Sequence, residues 1–194
     1  DIRALYELAV ASKIRVKMRV VALYRKFILA TDDLRNLASG KIAESPLKME
    51  PVNVSRLVRY IQRTYDIKTE GEAVKCNPVF SFDIKKGLPL CLVDRDKLES
   101  ALANLFINAK NYGGECVSVR VYSEPSNDDI WVRIDIEDTG IGIRSEDREK
   151  IFDVIGYRAP EAQAIGRGSG AGLPSARRNV QRMNGALFVS HSEI

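Results

Sequence analysis

Histidine is almost absent from this chain. Its single imidazole, His191, stands near the end of 194 residues, which excludes His-rich metal sites and most Ser-His-Asp chemistry. Cysteine is scarce as well. Cys76, Cys91 and Cys116 form no C-x-x-C pair, so neither a disulfide framework nor a zinc knuckle is indicated, and a reducing, cytoplasmic setting is expected. No apolar run reaches the roughly 18–20 residues a membrane helix needs, and Asp1-Ile2-Arg3 is no secretory leader, so no membrane segment is expected. The charge is barely one-sided: 30 Lys+Arg against 26 Asp+Glu leave +4, too little to argue for nucleic acid, and no such partner is expected. With 45% hydrophobic and 29% charged residues, collagen-like and disordered readings also fall away. The length suits one ordinary domain with an appendage.

Glycine and proline are missing from Asp1 to Ser39, which predicts a long helix or a pair of helices. Its basic run, from Lys13 to Lys26, reads as a solvated face. Residues 40–53 (GKIAESPLKMEPVN) mark a junction, dividing an appendage at 1–45 from a domain at 46–194. Val54 to Tyr65 then reads as an amphipathic helix with Leu57, Val58 and Ile61 inward. Strands are expected around Val79–Phe82 and over Leu88–Val93, and a helix from Arg95 to Asn111 with Leu98, Ala101, Leu102, Leu105 and Phe106 on one side. Val117–Tyr122 and Trp131–Ile136 alternate as a hairpin turned by Glu124–Asp129. Arg144 to Ser169 reads as a polar loop, Pro174 to Asn184 as a helix capped by Gly185, and Gly185–Ser190 as a last strand. This order implies an α+β, two-layer α/β sandwich preceded by a long N-terminal helix.

Three segments carry candidate chemistry. Asn104 and Asn108, four residues apart on one helix, align two carboxamides, with Tyr112 a turn later, on a face expected to oppose the apolar one. Carboxamide oxygens can ligate Mg²⁺ and carboxamide N–H groups can donate to phosphate, although such pairs also occur on plain helix surfaces. Next, Trp131 to Asp138 is a strand that runs into Thr139-Gly140-Ile141-Gly142, so Asp138 can face a pocket or simply close an Asx turn. Third, Gly166-Arg167-Gly168-Ser169-Gly170-Ala171-Gly172-Leu173-Pro174 feeds a helix whose free amides can hold an anion; a flexible linker is the alternative, disfavoured by four glycines at alternating positions directly before a good helix. It is neither a Walker loop nor a dinucleotide fingerprint.

In this order the three segments resemble the N, G1 and G2 boxes of the GHKL ATPase superfamily, in particular the catalytic and ATP-binding domain of sensor histidine kinases. The resemblance rests on Asp94–Tyr112, Asp138–Ile143 and Gly168–Leu173, with Ile151-Phe152-Asp153 similar to the F box and the surrounding stretch to the ATP lid. It implies a Bergerat-type fold, ATP and Mg²⁺ as cofactors, and Asn104 and Asn108 as the catalytic pair, with Asn108 as the metal ligand. It further implies Tyr112 against the adenine or ribose, Asp138 on the adenine amino group, and Gly140 and Gly142 shaping the pocket floor. Gly168, Gly170 and Gly172, with Leu173 after them, would hold the lid end at the phosphates, and Arg158 and Arg167 are candidates for triphosphate contacts. Asn111 stands where these kinases usually carry a basic residue.

Gyrase-like ATPases and anti-sigma serine kinases carry Glu where this chain has Asn104, and an amide cannot take a proton at neutral pH. Asn104 therefore favours a protein histidine kinase over an anti-sigma kinase. A non-catalytic nucleotide-sensing or scaffold module is the other alternative. Residues 1–45 resemble part of the second dimerisation helix of such kinases, implying a homodimer in the full-length protein and a response regulator as partner. The family's acceptor histidine is not among these residues, and Tyr6-Glu7-Leu8 lies too close to Gly40 to replace it.

Overall fold

Valines at alternate positions set the plan of the molecule, because a strand presents every second side chain to one face. The computed structural model describes residues 46–64, 79–126, 129–165 and 169–192. Chain order is β1 (Met49–Val52), α1 (Val54–Thr64), β2 (Val79–Ile84), β3 (Cys91–Asp94), α2 (Arg95–Tyr112), β4 (Cys116–Ser126) and β5 (Asp129–Asp138). A 3-10 turn at Ser145–Asp147 follows, then α3 (Lys150–Asp153), α4 (Pro160–Ile165) and α5 (Gly172–Arg182).

One sheet has the order β2-β4-β5, with β2 parallel and β5 antiparallel to β4; β1 and β3 pair separately and antiparallel. The parallel pair requires a crossover, which β3 and α2 supply between β2 and β4. Val117, Val119 and Val121 are buried in one core cluster with Leu57, Val58 and Ile61 of α1 and Leu102 and Phe106 of α2. Within it the rings of Phe80, Phe82 and Phe106 lie 6.2–6.4 Å apart. The opposite face of the hairpin is polar. There Arg133 Nε donates to Asp135 at 2.8 Å and the Tyr122 hydroxyl to the same carboxylate at 3.0 Å. The fold is thus the expected α+β arrangement of helices on a sheet.

Asp94 starts α2 in two ways at once. Its Oδ1 accepts from the Lys97 amide at 3.0 Å, capping the helix, and its Oδ2 accepts from the Lys48 amide at 2.8 Å, tying in the entry to β1. At 5% exposure both bonds are shielded from water.

Several boundaries depart from the sequence reading. Most of the turn expected at Glu124–Asp129 is strand, since β4 continues through Ser126 and β5 begins at Asp129, with Pro125 opposite Ile130. β2 stops opposite Val121, so β4 has a free edge beyond it and a proline costs no ladder bond to β2. The strand expected over Leu88–Val93 forms only at Cys91–Asp94. The polar loop at 144–169 contains the 3-10 turn, α3 and α4. α5 begins two residues before Pro174, and the left-handed position after it belongs to Asn184 (φ 61°) instead of Gly185. Residues 185–192 form no strand. The long helix or helix pair expected from Asp1 to Ser39, with the rest of the appendage at 1–45, falls outside the described residues.

Candidate functional site

The last turn of α2 and the turn after β5 meet without room for a side chain. A Cβ added at Gly140 would lie 1.9 Å from the Tyr112 carbonyl oxygen and 2.9 Å from Asp138 Oδ1; one added at Gly114 (φ +67°) would lie 2.3 Å from the Thr139 carbonyl oxygen. The Ile141 amide donates to the Tyr112 carbonyl at 3.3 Å. Thr139 Oγ1 accepts from the amides of Glu115 at 3.2 Å and Cys116 at 3.1 Å, tying the start of β4 to the same turn after β5. Exposed Asp138 accepts from the Gly140 amide at 3.0 Å through Oδ1, which is an Asx turn, and Gly142 has φ 68°. Thr139→Val keeps the size and removes that shared acceptor. We expect a loss of about 1 kcal/mol, read from the urea midpoint.

Two turns earlier on α2, Asn104 meets the start of α5. Its Nδ2 donates to the Gly172 carbonyl at 3.2 Å, and a Cβ on Gly172 would stand 3.3 Å from Asn104 Oδ1. Asn104 is only 9% exposed. The expectation of a carboxamide face turned away from the packed side is therefore corrected: α5 packs on that face, and α2 is covered on both flanks. Asn108 and Tyr112 are half-buried. The row Asn104, Asn108, Tyr112 thus runs from the first residue of α5 to the Gly140 turn, with Asn108 between.

Gly170 (φ +74°) sits on the residues after α3. A Cβ there would be 2.7 Å from Gly156 C and from the Tyr157 carbonyl oxygen, and the Gly156 amide donates to the Gly170 carbonyl at 3.1 Å. Ala171 gives α5 no side-chain cap, so the first-turn amides beside half-buried Leu173 lack one. Arg158 is turned elsewhere: its Nη2 donates to the Ala162 carbonyl at 2.7 Å, within its own segment. Arg167 and Gly168 lie outside the described residues. Arg177 escaped the sequence reading. It donates to Glu149 at 2.7 Å and Asp153 at 3.3 Å, with its guanidinium 5.1 Å from the Phe152 ring, clasping α3 to α5. The i, i+4 carboxylates flanking a phenylalanine were the available signal.

Among the described residues no three His, Cys, Asp or Glu side chains gather as a metal centre. Burial raises the Cys91 thiol, which makes it a poor nucleophile.

The arrangement places the Asn104–Asn108–Tyr112 row of α2 between the Gly140 turn at one end and the glycine turn before α5 at the other. Residues 93–193 match the family described as histidine kinase-, DNA gyrase B-, and HSP90-like ATPases. The chain belongs to this family. Sensor histidine kinase GlrK of Escherichia coli (strain K12) is 28% identical over 149 residues, which cover 77% of this chain and 30% of GlrK. This chain therefore spans less than a third of that relative. Among solved structures, full-length ShkA in complex with AMPPNP superposes at a TM-score of 0.61 and 24% identity, over 89% of this chain and 35% of ShkA. Histidine kinase ThkA in complex with response regulator protein TrrA gives 0.59 at 18% identity, over 98% of this chain and 54% of ThkA. At these identities the superpositions establish the fold. No described helix of this family member is long and apolar enough to cross a membrane.

Proposed function

We propose that this chain is the ATP-binding catalytic part of a sensor histidine kinase, whose γ-phosphoryl acceptor is a histidine outside these residues. The observation that carries the reading is the carboxamide row on α2 strung between Gly140, where an added Cβ would clash with backbone, and Gly172, where one would press on Asn104 at 3.3 Å. The absence of a Cβ at Gly140 lets the turn after β5 lie directly on the end of α2, and the carboxamide chemistry of Asn108 suits a hard cation bridged to phosphate. The residues present therefore fit Mg-ATP. That group supplies the phosphoryl to be transferred and charge neutralisation by the metal.

On this reading Asn108 ligates Mg²⁺, Tyr112 flanks the adenine or ribose, Asp138 accepts from the adenine amino group, and Gly140 and Gly142 let backbone approach the ring. Gly168, Gly170, Gly172 and Leu173 bring amides to the phosphates, joined by Arg167. Arg158 needs to leave Ala162 before it can join them. Asn104 holds α5 in place and offers no base for activating water, which favours transfer to a protein acceptor over hydrolysis. The division at residue 45, dimerisation through the N-terminal helix and a response-regulator partner belong to the same proposal; the complex of ThkA with response regulator protein TrrA supports the last.

Isothermal titration with a non-hydrolysable ATP analogue, with and without Mg²⁺, tests the reading, and absence of heat refutes it. Asp138→Asn sharpens it, because an amide loses the charge assistance of a carboxylate and can turn its NH₂ toward the adenine amino group. Adenine affinity and the preference for ATP over GTP should fall. An intact preference would put the adenine elsewhere.

A further inference from the structure

Gly156 and Tyr157, after α3, form the base on which Gly170, before α5, packs. We infer that the Tyr157–Asp147 hydrogen bond pins this base, which makes Tyr157 a positioning residue for the phosphate end of the bound nucleotide. The inference rests on the nucleotide reading above.

Asp147 ends the 3-10 turn at 2% exposure, and its Oδ1 accepts from the Tyr157 hydroxyl at 2.5 Å. Its Oδ2 has no hydrogen-bond partner among the described residues. Positive charge comes from Lys150, whose half-exposed ammonium is 3.6 Å from Oδ1 and 6.0 Å from the centre of the Tyr157 ring. A buried carboxylate so sparsely satisfied is costly to strip of its donor. The opposite side of the same turn is fastened too, since Arg144 forms an ion pair with Glu161 of α4. Tyr157 thus stands on a fixed support at Asp147 and carries the backbone against which Gly170 packs.

What Tyr157 fixes is passed on over a short path. Gly170 has a positive φ and touches Gly156 and Tyr157 so closely that no Cβ fits, so its place follows theirs. Two residues later Gly172 abuts Asn104 and opens α5. A Tyr157 that has lost its hydroxyl keeps its ring but not its anchor. The glycine turn is then free to drift from the phosphates, while the adenine end, built by β5 and α2, is untouched.

The test uses the 194-residue chain and its variants. Titration of Tyr157→Phe with the Mg²⁺ complex of a non-hydrolysable ATP analogue should be weaker by about tenfold, the loss of one charge-assisted hydrogen bond. Adenosine, which has no phosphates, should bind Tyr157→Phe as it binds the unaltered chain, followed by NMR shifts. Asp147→Leu should match Tyr157→Phe, whereas Asp147→Asn retains an acceptor oxygen for the tyrosine hydroxyl and should restore affinity to within about twofold. Without ligand, the Gly156 amide should exchange faster in Tyr157→Phe while β4 amides stay protected. An unchanged analogue affinity in Tyr157→Phe, or an equal loss for adenosine, overturns the inference alone. Failure of the unaltered chain to bind the analogue overturns the nucleotide reading and the positioning role with it.

Discussion

Gly140→Ala is expected to remove nucleotide binding and weaken the fold together. The added methyl would sit 1.9 Å from the Tyr112 carbonyl oxygen and 2.8 Å from its carbon. Both are backbone atoms in the last turn of a helix whose other residues include the buried Phe106, so neither rotates away. The turn after β5 must move instead, breaking the Ile141-to-Tyr112 hydrogen bond and shifting Asp138, whose Oδ1 is the third atom in the methyl's path at 2.9 Å. Overpacking against rigid backbone should cost about 3 kcal/mol or more. Displacing the residue proposed to read adenine should cost about a further hundredfold in affinity. Gly87→Ala is the control. Gly87 has φ +72° but nothing within 4 Å of an added Cβ, so only the left-handed strain of about 1–2 kcal/mol applies, with affinity unchanged. Denaturant midpoints and titration of both variants check this. Equal behaviour of the two would mean that the Gly140 contact with Tyr112 does not shape the proposed nucleotide site.

What the sequence could reveal depended on whether the cause was local. α2 was expected over Arg95–Asn111 and ends one residue later, because its apolar spacing and the Asp94 cap are contained in the segment itself. The β4–β5 alternation was legible for the same reason. The parallel pairing of β2 with β4 and the union of β1 with β3 were not, because each joins residues far apart in the chain, and nothing in either strand names its partner. Glycine misled at Gly185: its neighbour Asn184 also tolerates φ above zero and took the position. Glycine also hid the start of α5, since Gly172 reads as a loop residue but belongs to the helix.

At the candidate site, the residue types were readable and their secondary contacts were not. Asn104 reads as a ligand from its type and spacing, yet its buried amide is spent on the Gly172 carbonyl. Thr139 lies inside the Asp138–Ile143 box but carries no role in the resemblance, and Arg177, Asp147 and Tyr157 belong to no box of it. They fasten the segments around the boxes, through Thr139 between the start of β4 and the turn after β5, through Tyr157 and Asp147 across the base of the loop after α3, and through Arg177 between α3 and α5. Such residues gain meaning only from partners 10 to 28 positions away.

The contrast between Asn104 and Asn108 yields the second large effect. Asn104→Ala should disturb fold and site together, because it strips the Gly172 carbonyl of a donor in a nearly buried place. Asn108→Ala should separate them. Asn108 is half-buried in the interior of an 18-residue helix, where alanine is the better helix former by several tenths of a kcal/mol, so the unfolding midpoint should hold or rise. Mg²⁺-dependent affinity for the ATP analogue should fall by about 1.5–3 kcal/mol, the range for a contact to a charged group, which is roughly tenfold to more than a hundredfold. The opposite signs are what make the variant decisive, since general damage lowers both quantities. Titrations with and without Mg²⁺ should converge in Asn108→Ala, because the carboxamide is the side chain proposed to hold the metal. If the variant instead folds normally and keeps its full dependence on Mg²⁺, the metal is held elsewhere and the carboxamide row on α2 no longer supports the nucleotide reading.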